Sequence, residues 1–123
     1  RIRQMFLVIL DNAIKFSNQN SKVYVNLSGS ADYVVTSIKD SGVGIPKEDL
    51  ETIFDKFYRS KLRQNATGSG LGLTIAKHIA LRHDGNIFVE STVGQGSTFT
   101  IILPLFKDPD WDFTEEDEDF DNA

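Results

Sequence analysis

The 123-residue chain contains no cysteine, which excludes disulfides and zinc–thiolate centres and leaves its redox compartment unmarked. Histidine is nearly absent: only His78 and His83 occur. Long hydrophobic runs are missing as well. MFLVIL, at residues 5–10, is the longest, well short of the ~20 apolar residues that a membrane-spanning helix needs. No large excess of positive charge is present either. Through Phe106 there are twelve basic against nine acidic residues, a balance of +3, whereas from Lys107 onward one basic residue faces nine acidic ones, a balance of −8. The overall −5 is therefore set by the C-terminus. A body this weakly basic lacks the footprint of a duplex-binding protein and argues against a nucleic-acid partner, although it suits a small anion.

What is present reads as one small domain, residues 1–106, followed by an acidic tail, residues 107–123. The tail, KDPDWDFTEEDEDFDNA, is too charged to bury its own backbone and reads as disordered. Within the body, Ile2, Met5, Phe6, Ile9, Ala13 and Phe16 recur at helical spacing, so residues 1–16 form an amphipathic helix, ended by the turn-forming run SNQNS. KVYVNL at 22–27 alternates and YVVTSIK at 33–39 is β-branched, with Gly29 between them, which predicts a hairpin. A short helix is expected over 47–53 behind Pro46, and a mobile loop over 54–70. LGLTIAKHIALR at 71–82 is a second amphipathic helix, stopped by Asp84-Gly85. Strands follow at 86–90 and 97–103, joined by a turn holding Gly94 and Gly96. Strands grouped against helices predict an α+β two-layer sandwich with a mixed sheet and about three helices.

Four stretches carry groups suited to chemistry. In FLVILDNAIKFS, Asn12, Lys15 and Phe16 share one helix face and present an amide oxygen, a cation and a ring together. An amide oxygen suits Mg²⁺ and an ammonium suits phosphate. Alone, the triplet also fits a lysine that reaches past a helix end and an asparagine bonded to a loop. In KDSGVGIP, Asp40 ends a strand and Gly42 and Gly44 follow, so the chain can approach a ligand closely while a carboxylate receives an amino group. An ordinary strand-to-helix turn has the same pattern. In TGSGLGLTIAKHIA, Gly68, Gly70 and Gly72 run into a helix, whose free N–H groups make an anion site. Leu73 stands where a dinucleotide fingerprint needs its third glycine, and no P-loop or protein-kinase signature occurs. Finally, IFDKFYRSKLR places Phe54 and Phe57 three apart among Lys56, Arg59, Lys61 and Arg63, which fits either a buried helix end or an aromatic anchor for a partner.

Their order is more specific than any one of them. N-A-x-K-[FY]-S, D-x-G-x-G-I, F-x-[RK]-F-[YR], G-x-G-L-G-L and G-x-G-[ST]-x-F, in that sequence, resemble the N, G1, F and G2 boxes and the closing strand of the catalytic and ATP-binding domain of sensor histidine kinases. The resemblance covers residues 3–104 and implies the Bergerat fold shared with DNA gyrase and MutL, with that fold's first strands preceding Arg1. It implies that Asn12 ligates Mg²⁺, Lys15 contacts phosphate and Phe16 lies along the nucleotide. Asp40 would receive the adenine amine, helped through water by Thr98, with Gly42, Gly44 and Ile45 forming the pocket floor. Gly68, Ser69, Gly70, Leu71, Gly72 and Leu73 would meet the phosphates, and Arg59 would stabilise charge on the γ-phosphate. Phe54 and Phe57 would lean on the dimerisation helices of the same protein.

The implied function is Mg·ATP-dependent transfer of phosphate to a histidine outside this chain, in two-component signalling with a response regulator. The alternative is a nucleotide-binding docking module or pseudokinase. Neither His78 nor His83 has the family's phosphoacceptor context. Val8 stands where many relatives carry a second asparagine and the gyrase branch a water-activating glutamate, so gyrase-like hydrolysis is not expected. Asp11 lies about a quarter turn from Asn12 and is not assigned as a base. The acidic, tryptophan-bearing tail resembles that of cell-wall-regulating sensor kinases of Gram-positive bacteria, from which Val8 departs. By the same resemblance the domain is cytoplasmic, makes no membrane contact itself and belongs to a membrane-anchored bacterial sensor.

Overall fold

Apolar residues spaced for one helix face and alternating apolar residues in the strands meet in a single layer of packing. The computed structural model describes residues 1–55 and 71–105. Helix α1 spans Ile2–Phe16 and buries Met5, Ile9 and Ala13, each one turn from the last. Strands β1 (Tyr24–Gly29) and β2 (Tyr33–Lys39) form the expected hairpin. Helix α2, Gly72–Arg82, buries Ala76, Ile79 and Ala80. Strands β3 (Asn86–Thr92) and β4 (Gly96–Pro104) close the sheet in the order β1-β2-β4-β3. Every pairing among these strands is antiparallel, where a mixed sheet was expected. The reason is the path of the chain: α2 carries it past β2 to the far edge, and β4 then returns between the two.

The inner face of the sheet follows the two-residue period of a strand. Ile38 of β2, Ile87 of β3, and Phe99 and Ile101 of β4 are all buried against the two helices, joined by Ile45 and Ile53 from the connecting segment. Truncating a ring in such a place costs ~3–5 kcal/mol, so Phe99 is a principal holder of the layer. The helices do not reach over β1, which is exposed along its whole length although Val25 and Leu27 pair with the buried Ile38 and Thr36.

The short helix expected over 47–53 is a 3₁₀ turn, Lys47–Asp49, carried on by single turns in which Thr52 N–H bonds Asp49 and Asp55 N–H bonds Thr52. A seven-residue segment cannot offset the cost of nucleating an α-helix, and i→i+3 bonds close it instead. Buried Ile53 then pins the segment to the core. At the end of α2, Asp84 takes a left-handed conformation and Gly85 N–H returns to the Ala80 carbonyl, the stop expected from Asp84-Gly85. Most of the loop expected over 54–70, and the tail beyond Leu105, lie outside the described residues.

The β3 edge is guarded by one side chain. Lys77 of α2 bonds the Ile87 carbonyl at 2.9 Å and the Asn86 side chain, with its ammonium 5.0 Å from the centre of the Phe54 ring and 5.8 Å from that of Phe88. Burial lowers the pKa of this ammonium. A lysine across a sheet edge blocks pairing with other chains.

Candidate functional site

The site grows from the end of β2. Asp40 N–H bonds the Ser97 carbonyl at 2.9 Å, extending the β2–β4 ladder by one residue and turning the Asp40 side chain inward. Its Oδ1 accepts the N–H of Gly42 at 2.9 Å and that of Ser97 at 3.3 Å. Asp40 is only 2% exposed, yet its Oδ2 receives no bond among the described residues. Leaving a buried acceptor unmet costs ~1–3 kcal/mol, so a group that brings hydrogen would be favoured in this corner.

Glycines let the backbone close around it. A Cβ on Gly96 would lie 2.1 Å from the Asp40 carbonyl, and one on Gly42 would lie 1.9 Å from the Phe16 carbonyl at the end of α1. Gly96 and Gly44 both have positive φ, a region costly for other residues. Asn18 Nδ2 donates to the Ser41 carbonyl at 2.8 Å, a second tie between the Asp40 loop and the segment after α1. Ile45 is buried and its N–H donates to Ser91 Oγ at 2.7 Å. The Asp40 corner and the Phe16 end of α1 thereby become neighbouring walls.

Along α1, Asn12 and Phe16 are half-buried and both make contacts, while Lys15 is exposed and pairs with Asp11 at 3.0 Å. An exposed pair of this kind contributes little, so Lys15 gives up Asp11 at small cost when a stronger anion is offered. Val8, one turn before Asn12, touches the start of α2: a Cβ on Gly72 would lie 3.3 Å from its Cγ1. The missing second asparagine is thus a packing residue between the helices. Among the described residues no side chain caps the N-terminus of α2, which starts beside that same flank of α1. Leu71 is its N-cap and Leu73 packs on the core.

Asp40, Gly42, Gly44, Ile45, Phe16, Asn12, Lys15, Leu71, Gly72 and Leu73 therefore occupy adjoining elements. Gly68, Ser69, Gly70, Phe57 and Arg59 lie outside the described residues. Thr98 is a correction. Strand parity puts buried Ser97 and Phe99 on the inner face and turns Thr98 outward, between Lys39 and Glu90. Ser97 reaches Asp40 through its backbone N–H, at 3.3 Å, while its hydroxyl pairs with that of Ser91 on the neighbouring strand at 2.8 Å. Phe54 is also more enclosed than an anchor for a partner needs to be. Its ring meets Phe99 edge-on at 6.4 Å, and its carbonyl accepts the Thr74 hydroxyl at 2.8 Å. Among the described residues no cluster of three or more acidic or imidazole side chains could hold a metal ion, and Asn12 offers an amide oxygen, a ligand type that suits Mg²⁺.

Comparison with known proteins agrees with this geometry. The family described as histidine kinase-, DNA gyrase B- and HSP90-like ATPase matches residues 1–107. The sensor histidine kinase WalK of Bacillus subtilis is 39% identical over 118 residues, 91% of this chain and 19% of that protein. The circadian input-output histidine kinase CikA of Synechococcus elongatus is 38% identical over 106 residues, 85% of this chain and 14% of its own length. This chain therefore spans less than a fifth of either relative. Among solved structures, the mycobacterial sensor histidine kinase MprB superposes with a TM-score of 0.77 at 34% identity, covering 82% of this chain and 70% of that one. Full-length ShkA in complex with AMPPNP gives a TM-score of 0.73 at 29% identity, over 83% of this chain and 21% of that one. With Asn12, Asp40 and Gly72 of its motifs on adjoining elements and its relatives named as sensor histidine kinases, the chain belongs to the histidine kinase-, DNA gyrase B- and HSP90-like ATPase family.

Proposed function

We propose that this domain binds Mg·ATP and delivers the γ-phosphate to a histidine on a dimerisation and phosphoacceptor domain outside this chain, in a signalling pair with a response regulator. The observation that carries the nucleotide reading is the buried Asp40 carboxylate, one oxygen of which is unmet among the described residues, in a corner where Gly42, Gly44 and Gly96 admit no Cβ. That oxygen suits the amino group of adenine. A ligand held there extends along Phe16 toward Asn12, Lys15 and the uncapped start of α2, where an amide oxygen, an ammonium and free N–H groups suit a metal-bound polyphosphate. The relative solved with AMPPNP supports a nucleotide at this fold's site.

Mg²⁺ bound by Asn12 would neutralise charge between the phosphates. The chain's own residues do the remainder by position. Asp40 fixes the base, Lys15 exchanges Asp11 for phosphate, and Arg59 meets charge on the transferring group. Hydrolysis through an activated water is disfavoured, since Val8 is apolar and packed on Gly72. Phe54 and Phe57 are assigned to the acceptor domain's helices, with Phe54 offering only what Phe99 and Lys77 leave of it. Among the described residues no helix is long and apolar enough to cross a membrane, and we place the domain on the cytoplasmic side of an anchored sensor.

The test is transfer of radiolabelled γ-phosphate from ATP to the phosphoacceptor domain of a relative such as WalK. The expected result is Mg²⁺-dependent labelling of histidine that is lost in Asp40→Ala. Nucleotide binding without labelling of any acceptor domain tried would replace this reading with that of a docking module.

A further inference from the structure

Thr74 and Lys77 lie three apart on α2, and both reach Phe54. Thr74 Oγ1 donates to the Phe54 carbonyl at 2.8 Å. Lys77 holds its ammonium 5.0 Å from the centre of the Phe54 ring. An ammonium has three protons. Two go to the Ile87 carbonyl, at 2.9 Å, and to the Asn86 side chain, whose oxygen also accepts the Ile87 N–H at 2.8 Å. The third is left for the rings, of which Phe54 is the nearer and Phe88, at 5.8 Å, the farther. Phe54 is thereby held at its main chain and at its ring by one helix, while Phe99 meets the ring edge-on from the core. The segment that carries Phe54 is a run of single i→i+3 turns, so α2 supplies the fixing that a longer helix would give.

A methionine at position 77 would cover the same ring without the cost of drawing a cation from water. That cost is visible in the lowered pKa of the ammonium. The lysine adds direction, because its bonds to β3 fix where the cation stands. The first turn of α2, which holds Thr74, also meets the other side of the molecule: Gly72 starts the helix beside Val8, one turn along α1 from Asn12. One helix therefore joins the residue assigned to the acceptor's helices to the phosphate side of the proposed site. We propose that Lys77 and Thr74 are positioning residues for phosphate transfer: they hold Phe54 at a fixed offset from the phosphate side, so that an acceptor domain seated on Phe54 presents its histidine within reach. The inference rests on the phosphotransfer reading above and deepens it.

The test measures two properties of the wild-type chain and of Lys77→Met, Lys77→Arg, Thr74→Val and Thr74→Ser. One is ADP affinity by calorimetry. The other is the rate of label transfer from ATP to the WalK acceptor domain, at saturating ATP and over a range of acceptor concentrations. Lys77→Met and Thr74→Val are expected to lower the rate at saturating acceptor about tenfold, since a displacement of ~1 Å at a reacting group costs up to ~100-fold. ADP affinity is expected to stay at the wild-type value in both. Lys77→Arg keeps a cation with donors and Thr74→Ser keeps the hydroxyl, so each is expected to restore most of the rate. A thermal melt accompanies every variant, and Thr74→Val carries the test if Lys77→Met does not fold. A purely structural role would lower the melting temperature and leave the rate of a folded variant alone. Wild-type rates in the folded variants overturn the proposal, and so does a loss of ADP affinity that matches the loss of rate. Wild-type chain that binds ADP but labels no acceptor overturns the phosphotransfer reading itself, and this proposal falls with it.

Discussion

Two adjacent residues, Ser97 and Thr98, show how much one step along a strand decides. Ser97 is 2% exposed and its N–H reaches Asp40, whereas Thr98 looks out from the opposite face. Ser97→Ala is expected to weaken ADP binding severalfold by removing the hydroxyl pair with Ser91 that steadies the strand bonded to Asp40. Thr98→Ala is expected to leave that affinity unchanged, and a pair of titrations checks both. Equal losses in the two variants would mean that Thr98 reaches the site after all. The distinction was legible in the sequence, because Phe99 is the core residue of that strand and the two-residue period then sends Ser97 inward. Ser91 was not legible: an isolated serine in EST carries no signal, and its role comes from a cross-strand pairing set by the register of β3 on β4. Asp40, with glycines two and four residues on, could be read because a carboxylate there combines two uncommon requirements, positive φ and close backbone approach.

At the scale of elements, both α-helices and strands β2, β3 and β4 follow from periodicity, since each buries one face against the same core, whereas β1 shows the alternation of a strand yet stays exposed along its length. The 47–53 segment did not, because its three-residue helical turn is held by Ile53 packing and by i→i+3 bonds that leave no periodic trace. The sheet order was also beyond the sequence: nothing local tells β4 to insert between β2 and β3. The turn between β3 and β4 is where element geometry and site meet. Gly96 has φ of 100°, and a Cβ there would lie 2.1 Å from the Asp40 carbonyl. Gly96→Ala is therefore expected to cost ~2 kcal/mol or more and to lower the melting temperature, since both the backbone strain and the clash with main chain oppose it. Gly94 has positive φ but open space around it, so Gly94→Ala is expected to cost less. Thermal melts of the two variants, compared side by side, separate strain alone from strain plus contact. Equal costs would mean that the loop around Asp40 yields easily.

For the whole molecule, charge, topology and site agree. A body of +3 suits a polyphosphate, and the sheet and two helices bring residues from the two ends of the domain onto adjoining walls. No single segment holds more than a part of the proposed site: α1 would supply the metal and phosphate side and the loop after β2 the base corner, with β3 and β4 behind it. The central claim is that a magnesium nucleotide sits across those walls, with its base at Asp40 and its metal at Asn12. The most direct measurement is a calorimetric titration of the chain with ADP, with and without Mg²⁺, for the wild type, Asp40→Ala and Asn12→Ala. The predicted result is binding that is lost in Asp40→Ala and that persists in Asn12→Ala without its dependence on Mg²⁺. ADP binding that survives in a folded Asp40→Ala chain, or an unaltered Mg²⁺ dependence in Asn12→Ala, would contradict the placement.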